Sequence, residues 1–319
     1  MYANSAAVSR PEISTFLEEA TKAEDFYIAQ KIMPVFTSKS RAGRYPRLKI
    51  ENGELMKAQS TLRGPSGTYN EVARKFDWET YDCEDRGLEE RIDDVNAREM
   101  QNFFDTEVVT AKLVRRSVVL DYEKRVADQI MNPDSFNAVA SHVGYTEANL
   151  ATIDFARDLL DAVERLEQRA QMANTMILTR AVFNLLRRSK LLQTYLFGNL
   201  GAGTEHRLIN PTDIGNAFGI KDVRIAAATY DRAQKGKPKE LVPVWKNDYI
   251  FLGNVQGGDF ENGGIGRTIV WDSDSPGGLF ATETYRDEKR RGNMVRVRMN
   301  TDEKIVDETA GELITTQFE

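Results

Sequence analysis

Gly198-Asn199-Leu200-Gly201-Ala202-Gly203-Thr204 is the nearest approach in this sequence to a phosphate cradle. Gly198 and Gly203 have the spacing of a phosphate-binding loop, but Thr204 stands where a lysine would reach the phosphates. No clear strand leads through this segment into a helix, so a flexible surface loop is the simpler reading. Gly257-Gly258 and Gly263-Gly264-Ile265-Gly266 precede no helical pattern either and suit turns. Nucleophilic catalysis fares no better. The two histidines, His142 and His206, lie in connecting segments without a nucleophile elbow or a partner at recognisable spacing. Cys83 sits between Asp82 and Glu84, whose charges disfavour a thiolate. Asp93-Asp94 and Glu89-Glu90 are adjacent pairs in charged surface sequence, and no metal-ligand spacing occurs. The residues therefore predict no enzyme, no cofactor and no metal.

Composition points to the same place. The chain has 319 residues, 41% of them apolar and 29% charged, enough for a sizeable core under an ordinary solvated surface. No run approaches the length of a membrane span. The opening "MYANSAAVSRPEIS" lacks the basic start and apolar block of a secretion signal. A single cysteine excludes an internal disulfide framework and fits synthesis in a reducing cytoplasm. A net charge of −6 argues against general nucleic-acid affinity, although it is compatible with lying beside DNA.

The elements that must carry these residues are unusual. In "DFYIAQKIMPVFTSKSRAGRYPRL" a short apolar group, Phe26, Ile28 and Ile32, is stopped by Pro34 and followed by basic, flexible sequence. These anchors are too few for a core of their own and must dock on the body of the chain or on a neighbour. Residues 44 to 92 have alternating, strand-like ends around the turn composition Arg63-Gly64-Pro65-Ser66-Gly67, which predicts a long projecting hairpin. Excursions of that length are uncommon and usually functional. From Asn102 to Met131 apolar residues recur every three or four positions until Asn132-Pro133. That predicts a helix roughly 40 Å long. Beyond Gly144 helices and strands mix: a helix over 154–171, a strand over 174–179, a helix over 181–188 and an apolar turn at Leu191-Leu192. A short helix at Pro211 and strands at 223–228 and 249–252 follow. Residues 265 to 318 read as β, with the charged connection Arg286 to Asn293 as a hairpin tip.

This order of parts resembles the major capsid protein of tailed phages, with the Hong Kong 97-like fold. The resemblance rests on "AEDFYIAQKIMPVFTSKSRAGRYPRL", "YDCEDRGLEERIDD", "NTMILTRAVFNLLRRS", "DIGNAFGIKDVRIAAATYD" and "VPVWKNDYIFLGNV" in this sequence order, and it covers nearly the whole chain. It implies an α+β chain with an N-terminal arm (1–43), an extended E-loop hairpin (44–92) and a P domain with its spine helix (93–135). An A domain (136–260) and a terminal β segment shared by the P and A domains (261–319) complete it. The implied partners are copies of itself in hexamers and pentamers, a portal, a decoration protein in some relatives, and packaged double-stranded DNA on the inner face. There is no membrane. No long scaffolding-like segment precedes the arm, so a separate scaffolding protein is expected. The implied location is the virion, after assembly in the host bacterial cytoplasm.

On this resemblance the residues expected to touch neighbouring subunits are Phe26, Ile28 and Ile32 in the arm, then Arg44, Arg47, Lys49, Glu51, Glu54, Lys57 and Arg63 in the hairpin. Asp287, Glu288, Arg290 and Arg291 at the charged tip complete the set. No crosslinking role is carried onto Lys49 or Lys57. Two other readings stay open: an encapsulin-like nanocompartment shell, and a nucleotide-binding enzyme.

Overall fold

The structure, a computed structural model, describes residues 8–9, 27–48, 61–63, 67–69, 76–100, 105–198, 208–274 and 278–318. After the two-residue strand β1 (Val8–Ser9), a single helical turn α1 (Ala29–Ile32) ends just before Pro34. Three strands follow: β2 (Val35–Ser38), β3 (Ala42–Leu48) and β4 (Phe76–Asp82). Then come β5 (Glu84–Asp93), the short helix α2 (Asp94–Met100) and the spine helix α3 (Thr106–Ile130). Asp105 caps the spine, accepting the Glu107 and Val108 backbone N–H groups. Its buried side chains include Val114, Val118, Tyr122, Val126 and Ile130, a stripe at helical spacing.

The second half of the chain contains β6 (Asn137–Ala140), α4 (Phe155–Glu167), β7 (Thr175–Thr179), α5 (Arg180–Leu186), α6 (Lys190–Phe197) and α7 (Pro211–Phe218). It continues with β8 (Asp222–Ala226), β9 (Thr229–Asp231), β10 (Leu241–Pro243) and β11 (Tyr249–Gly253). The last strands are β12 (Gly266–Trp271), β13 (Ala281–Asp287), β14 (Gly292–Ile305) and β15 (Gly311–Thr315).

Among the described residues these strands make a six-stranded sheet, a five-stranded sheet and two two-stranded ribbons. The five-stranded sheet runs β6-β15-β11-β7-β8. Alternate side chains on its central strands enter different cores. Ile177, Phe251 and Leu313 join the spine-helix core, while Met176, Leu178, Ile250, Leu252 and Ile314 join the core under α4 to α7. A strand buried on both faces needs no polar alternation, which is why Met176, Ile177 and Leu178 run together in "TMILT".

The six-stranded sheet is organised by β14. This strand pairs with β5 over Gly292–Thr301, with β13 over Gly292–Arg298 and with β12 over Thr301–Ile305. That pairing corrects the expected hairpin over residues 44–92. Only β3 and β4 form the ribbon, and at Cys83 the chain leaves it and crosses to β14 as β5. β5 carries charge on both faces, so it lacks the alternation that marks a half-buried strand. Its partner supplies the complement, with Arg296 opposite Glu89 at 2.9 Å. A second difference is α6. It occupies the expected apolar turn, and Ser189 caps it by accepting the Leu192 N–H.

Candidate assembly surface

The ribbon of β3 and β4 has two chemically distinct faces. Directly opposed residues share a face, so Tyr45 with Glu79 and Gly43 with Tyr81 form one side. Arg44 with Thr80 and Pro46 with Trp78 form the other. The first side is rooted in the body. Tyr45 is 2% exposed and stacks on Phe260 at 5.1 Å, and Phe36 meets Phe260 edge-on at 4.6 Å.

The Tyr45 hydroxyl donates to Glu79 Oε2 at 2.7 Å, and Arg47 bridges Glu79 at 2.6 Å and Glu308 at 3.0 Å. Burial first, then the neighbouring Glu79, holds the Tyr45 hydroxyl in its protonated form well beyond the ordinary range. Burial acts to raise Glu79, but hydrogen bonds from Arg47 and Tyr45 outweigh it and keep this carboxyl below its usual value. Gly43 is dictated by contact, since a Cβ there would lie 2.7 Å from the Tyr81 hydroxyl. That hydroxyl is engaged with Ser38 Oγ at 2.7 Å.

The second side faces solvent, with Trp78 63% exposed beside the exposed Arg44 and Pro46. Farther out, Leu62 and Tyr69 are exposed, and Arg63 donates to the Gly67 carbonyl at 2.6 Å while lying over the Tyr69 ring. Between the ribbon and the spine lies a groove of about 840 Å³, lined by Arg44, Arg86, Arg125, Asp128, Asp302 and Lys304 among others. Two buried polar atoms at this end of the molecule, Arg86 Nε and Gln129 Oε1, have no hydrogen-bond partner among the described residues.

The arm anchors behave differently from the expectation. Ile28 is 2% and Ile32 0% exposed, packed with Met33 into the spine-helix core of their own chain. Side chains already buried at home have no surface left for a neighbour, so these two are corrected to internal anchors. Glu123 in the middle of the spine is 1% exposed and holds them there. It accepts the Ile28 N–H at 3.0 Å, the Ala29 N–H at 2.8 Å and the Trp245 indole N–H at 2.7 Å. Burial raises its pKa, partly offset by those three donors. Nothing in the sequence separates Glu123 from the charged residues around it on the spine.

Arg47 also turns toward its own body, through Glu79 and Glu308, while Arg44 and Arg63 stay exposed. Phe26, Lys49, Glu51, Glu54 and Lys57 lie outside the described residues. At the charged tip, Asp287 Oδ1 accepts the Lys289 and Arg290 N–H groups, closing the turn from β13 to β14. Arg91 and Asp94 N–H clamp the Arg290 and Arg291 carbonyls. Glu288, Arg290 and Arg291 project from that turn into solvent.

The residues examined for catalysis are elsewhere and apart. His142 Nδ1 meets Asp158 at 2.5 Å and its Nε2 faces Asp161 at 3.5 Å, while Tyr145 donates to Asp158 at 2.8 Å. Burial, then Asp302 and Asp82, pushes the Cys83 thiol up to about 12. Gly198 is the C-terminal cap of α6, with φ 74°. Gly201, Gly203, Thr204 and His206 lie outside the described residues.

No family model matches this sequence, and no curated protein is similar to it. Solved structures are. A phage-related protein from Bordetella bronchiseptica RB50 superimposes with a TM-score of 0.72 at 18% identity, covering 98% of each chain. The capsid of cyanophage P-SCSP1u matches with a TM-score of 0.55 at 12% identity, over 99% of this chain and 91% of that one. This chain has the Hong Kong 97-like capsid fold. A virus-like particle from Pyrococcus furiosus shares the fold, with a TM-score of 0.57 at 11% identity over 95% of this chain and 98% of the other. Within this capsid fold the spine, the ribbon root and the β14 sheet described above form the frame, and Trp78, Arg44, Leu62, Arg63 and Tyr69 are among the side chains it leaves exposed.

Proposed function

We propose that this chain is a major capsid protein that assembles with copies of itself into the pentamers and hexamers of an icosahedral phage head around double-stranded DNA. One observation carries the reading. A capsid fold matched over almost its full length extends a firmly rooted ribbon whose outer face is left exposed by the other described residues. Seven basic and six acidic residues lie in this limb, between Ala42 and Asp82, on a chain whose net charge is −6. A limb of mixed charge offers partners of both signs to its own copies, and repeated head-to-tail contact of that kind closes rings. Single exposed ion pairs contribute only about 0–1 kcal/mol, so misplaced subunits dissociate and are corrected.

On this reading the projecting limb is the ribbon over 42–82 with the chain between its strands, and β5 belongs to the peripheral sheet. Arg44 and Arg63, with Glu288, Arg290 and Arg291 of the tip, are the contact residues on this reading, and Asp287 closes the turn that holds them. A scaffolding protein, a portal and a decoration protein are its further partners, and the protein resides in the virion after assembly in the host cytoplasm. The chain is a structural protein rather than an enzyme.

Negative-stain microscopy of the purified chain should show uniform shells. Deleting Leu55 to Thr68 should leave a folded subunit that forms none, and normal particles from that deletion would refute the proposal. The likeness to an archaeal virus-like particle supports a second reading, a cargo-loading nanocompartment. Nucleic-acid content of particles recovered from cells decides between them.

A further inference from the structure

The β9–β10 ribbon ends in a tongue, residues 232–240, with its acids at the neck and two of its three lysines out at the tip. Both acids are used at the neck. Arg232 N–H donates to the Glu240 carbonyl at 2.9 Å, and the two side chains pair at 2.5 Å. Asp231 Oδ1 accepts the Ala233 and Glu240 N–H groups at 2.9 and 3.0 Å, and those bonds hold its carboxyl below the usual range. At the tip, Lys237 N–H donates to the Gln234 carbonyl at 3.0 Å, closing a turn around Gly236 at φ 90°, a conformation that favours glycine. Pro238 stiffens the return strand.

Lys235, Lys237 and Lys239 stand exposed around this turn, and no carboxylate among the described residues forms an ion pair with them. The ribbon itself is seated on the spine: Lys124 lies 5.8 Å above the Tyr230 ring, and Trp245 just past β10 binds Glu123. Three exposed ammonium groups are therefore held on a braced support, Lys235 and Lys237 out at the tip and Lys239 nearer the neck, where its charge also acts on Asp231.

We propose that this tongue contacts the phosphates of duplex nucleic acid without reading sequence. Lysine is a point charge suited to phosphate and is depleted in protein–protein interfaces, whose anchors are aromatic. The tongue has no aromatic residue between Arg232 and Glu240. The proposal rests on the shell reading for the source of the nucleic acid, but the binding itself needs only the single chain.

The test is fluorescence anisotropy of a labelled mixed-sequence DNA duplex, titrated with the full-length protein and with K235Q/K237Q/K239Q at several NaCl concentrations. Each phosphate contact steepens the log–log salt dependence by about 0.9, so three contacts contribute about 2.7. Raising salt five-fold should then weaken the wild type on the order of 80-fold more than the triple variant. K237Q alone should remove about a third of the slope difference. Equal slopes for wild type and triple variant overturn the proposal. So does a triple variant that keeps the wild-type slope but loses shells in negative stain, which assigns the tongue to contact between copies. A wild type that shows the steeper slope yet forms no shells supports the tongue and sinks the shell reading instead.

Discussion

The Trp245 indole N–H donates to Glu123 at 2.7 Å across 122 positions of sequence, and the same carboxylate accepts the Ile28 and Ala29 N–H groups. One buried acid thus ties the arm, the spine helix and the segment after β10. Replacing Glu123 by alanine leaves three buried donors unpaired and should cost about 3–5 kcal/mol in urea unfolding.

The same carboxyl makes a pH prediction. Its pKa is raised by burial, so its contribution to stability is fully present below the ordinary carboxylate range and is lost as pH rises through the raised value. Wild-type protein should therefore lose stability relative to Glu123→Gln as pH rises above the ordinary carboxylate range of about 4. A difference between the two that is flat with pH, or that grows in favour of wild type, contradicts the assignment.

At the ribbon root, Tyr45→Phe removes only the hydroxyl that Glu79 accepts. Because Glu79 is partly solvated and keeps Arg47, the expected loss is about 1 kcal/mol. Hydrogen exchange should place that loss in β3 and β4 and leave the spine helix unchanged.

Gly43→Ala puts a methyl 2.7 Å from the Tyr81 hydroxyl and should cost about 1–3 kcal/mol. Ring carbons of Tyr81 lie at 2.9 and 3.0 Å as well, so it is Tyr81→Leu, which removes the hydroxyl and both carbons, that should make the double variant cost less than the sum of the singles in a double-mutant cycle.

The β13–β14 turn separates folding from assembly. Arg290→Glu with Arg291→Glu should change subunit stability by less than about 1 kcal/mol, since both side chains are solvated. Shell yield by light scattering should nevertheless fall. Arg291 has φ 49°, so Arg291→Gly relieves its backbone while deleting one charge, and its shell yield should lie between wild type and the double reversal.

Much of the frame was written in local sequence. The spine announced itself through its three-and-four spacing and its Asn132-Pro133 stop, and the strand at 175–179 through its unbroken apolar run. These signals are local because a helix or a doubly buried strand satisfies its own periodicity. Strand β5 was invisible for the opposite reason: its charges on both faces make sense only beside the arginines of β14, some 200 residues later. The destiny of the anchors was likewise tertiary. Apolar residues at 28 and 32 require burial, but only the position of Glu123 decides that the burial is inside the same chain. The placing of Lys235 and Lys237 at the tip of the 232–240 tongue is also three-dimensional, because the Gln234–Lys237 turn and the Arg232–Glu240 neck, not spacing along the sequence, set it.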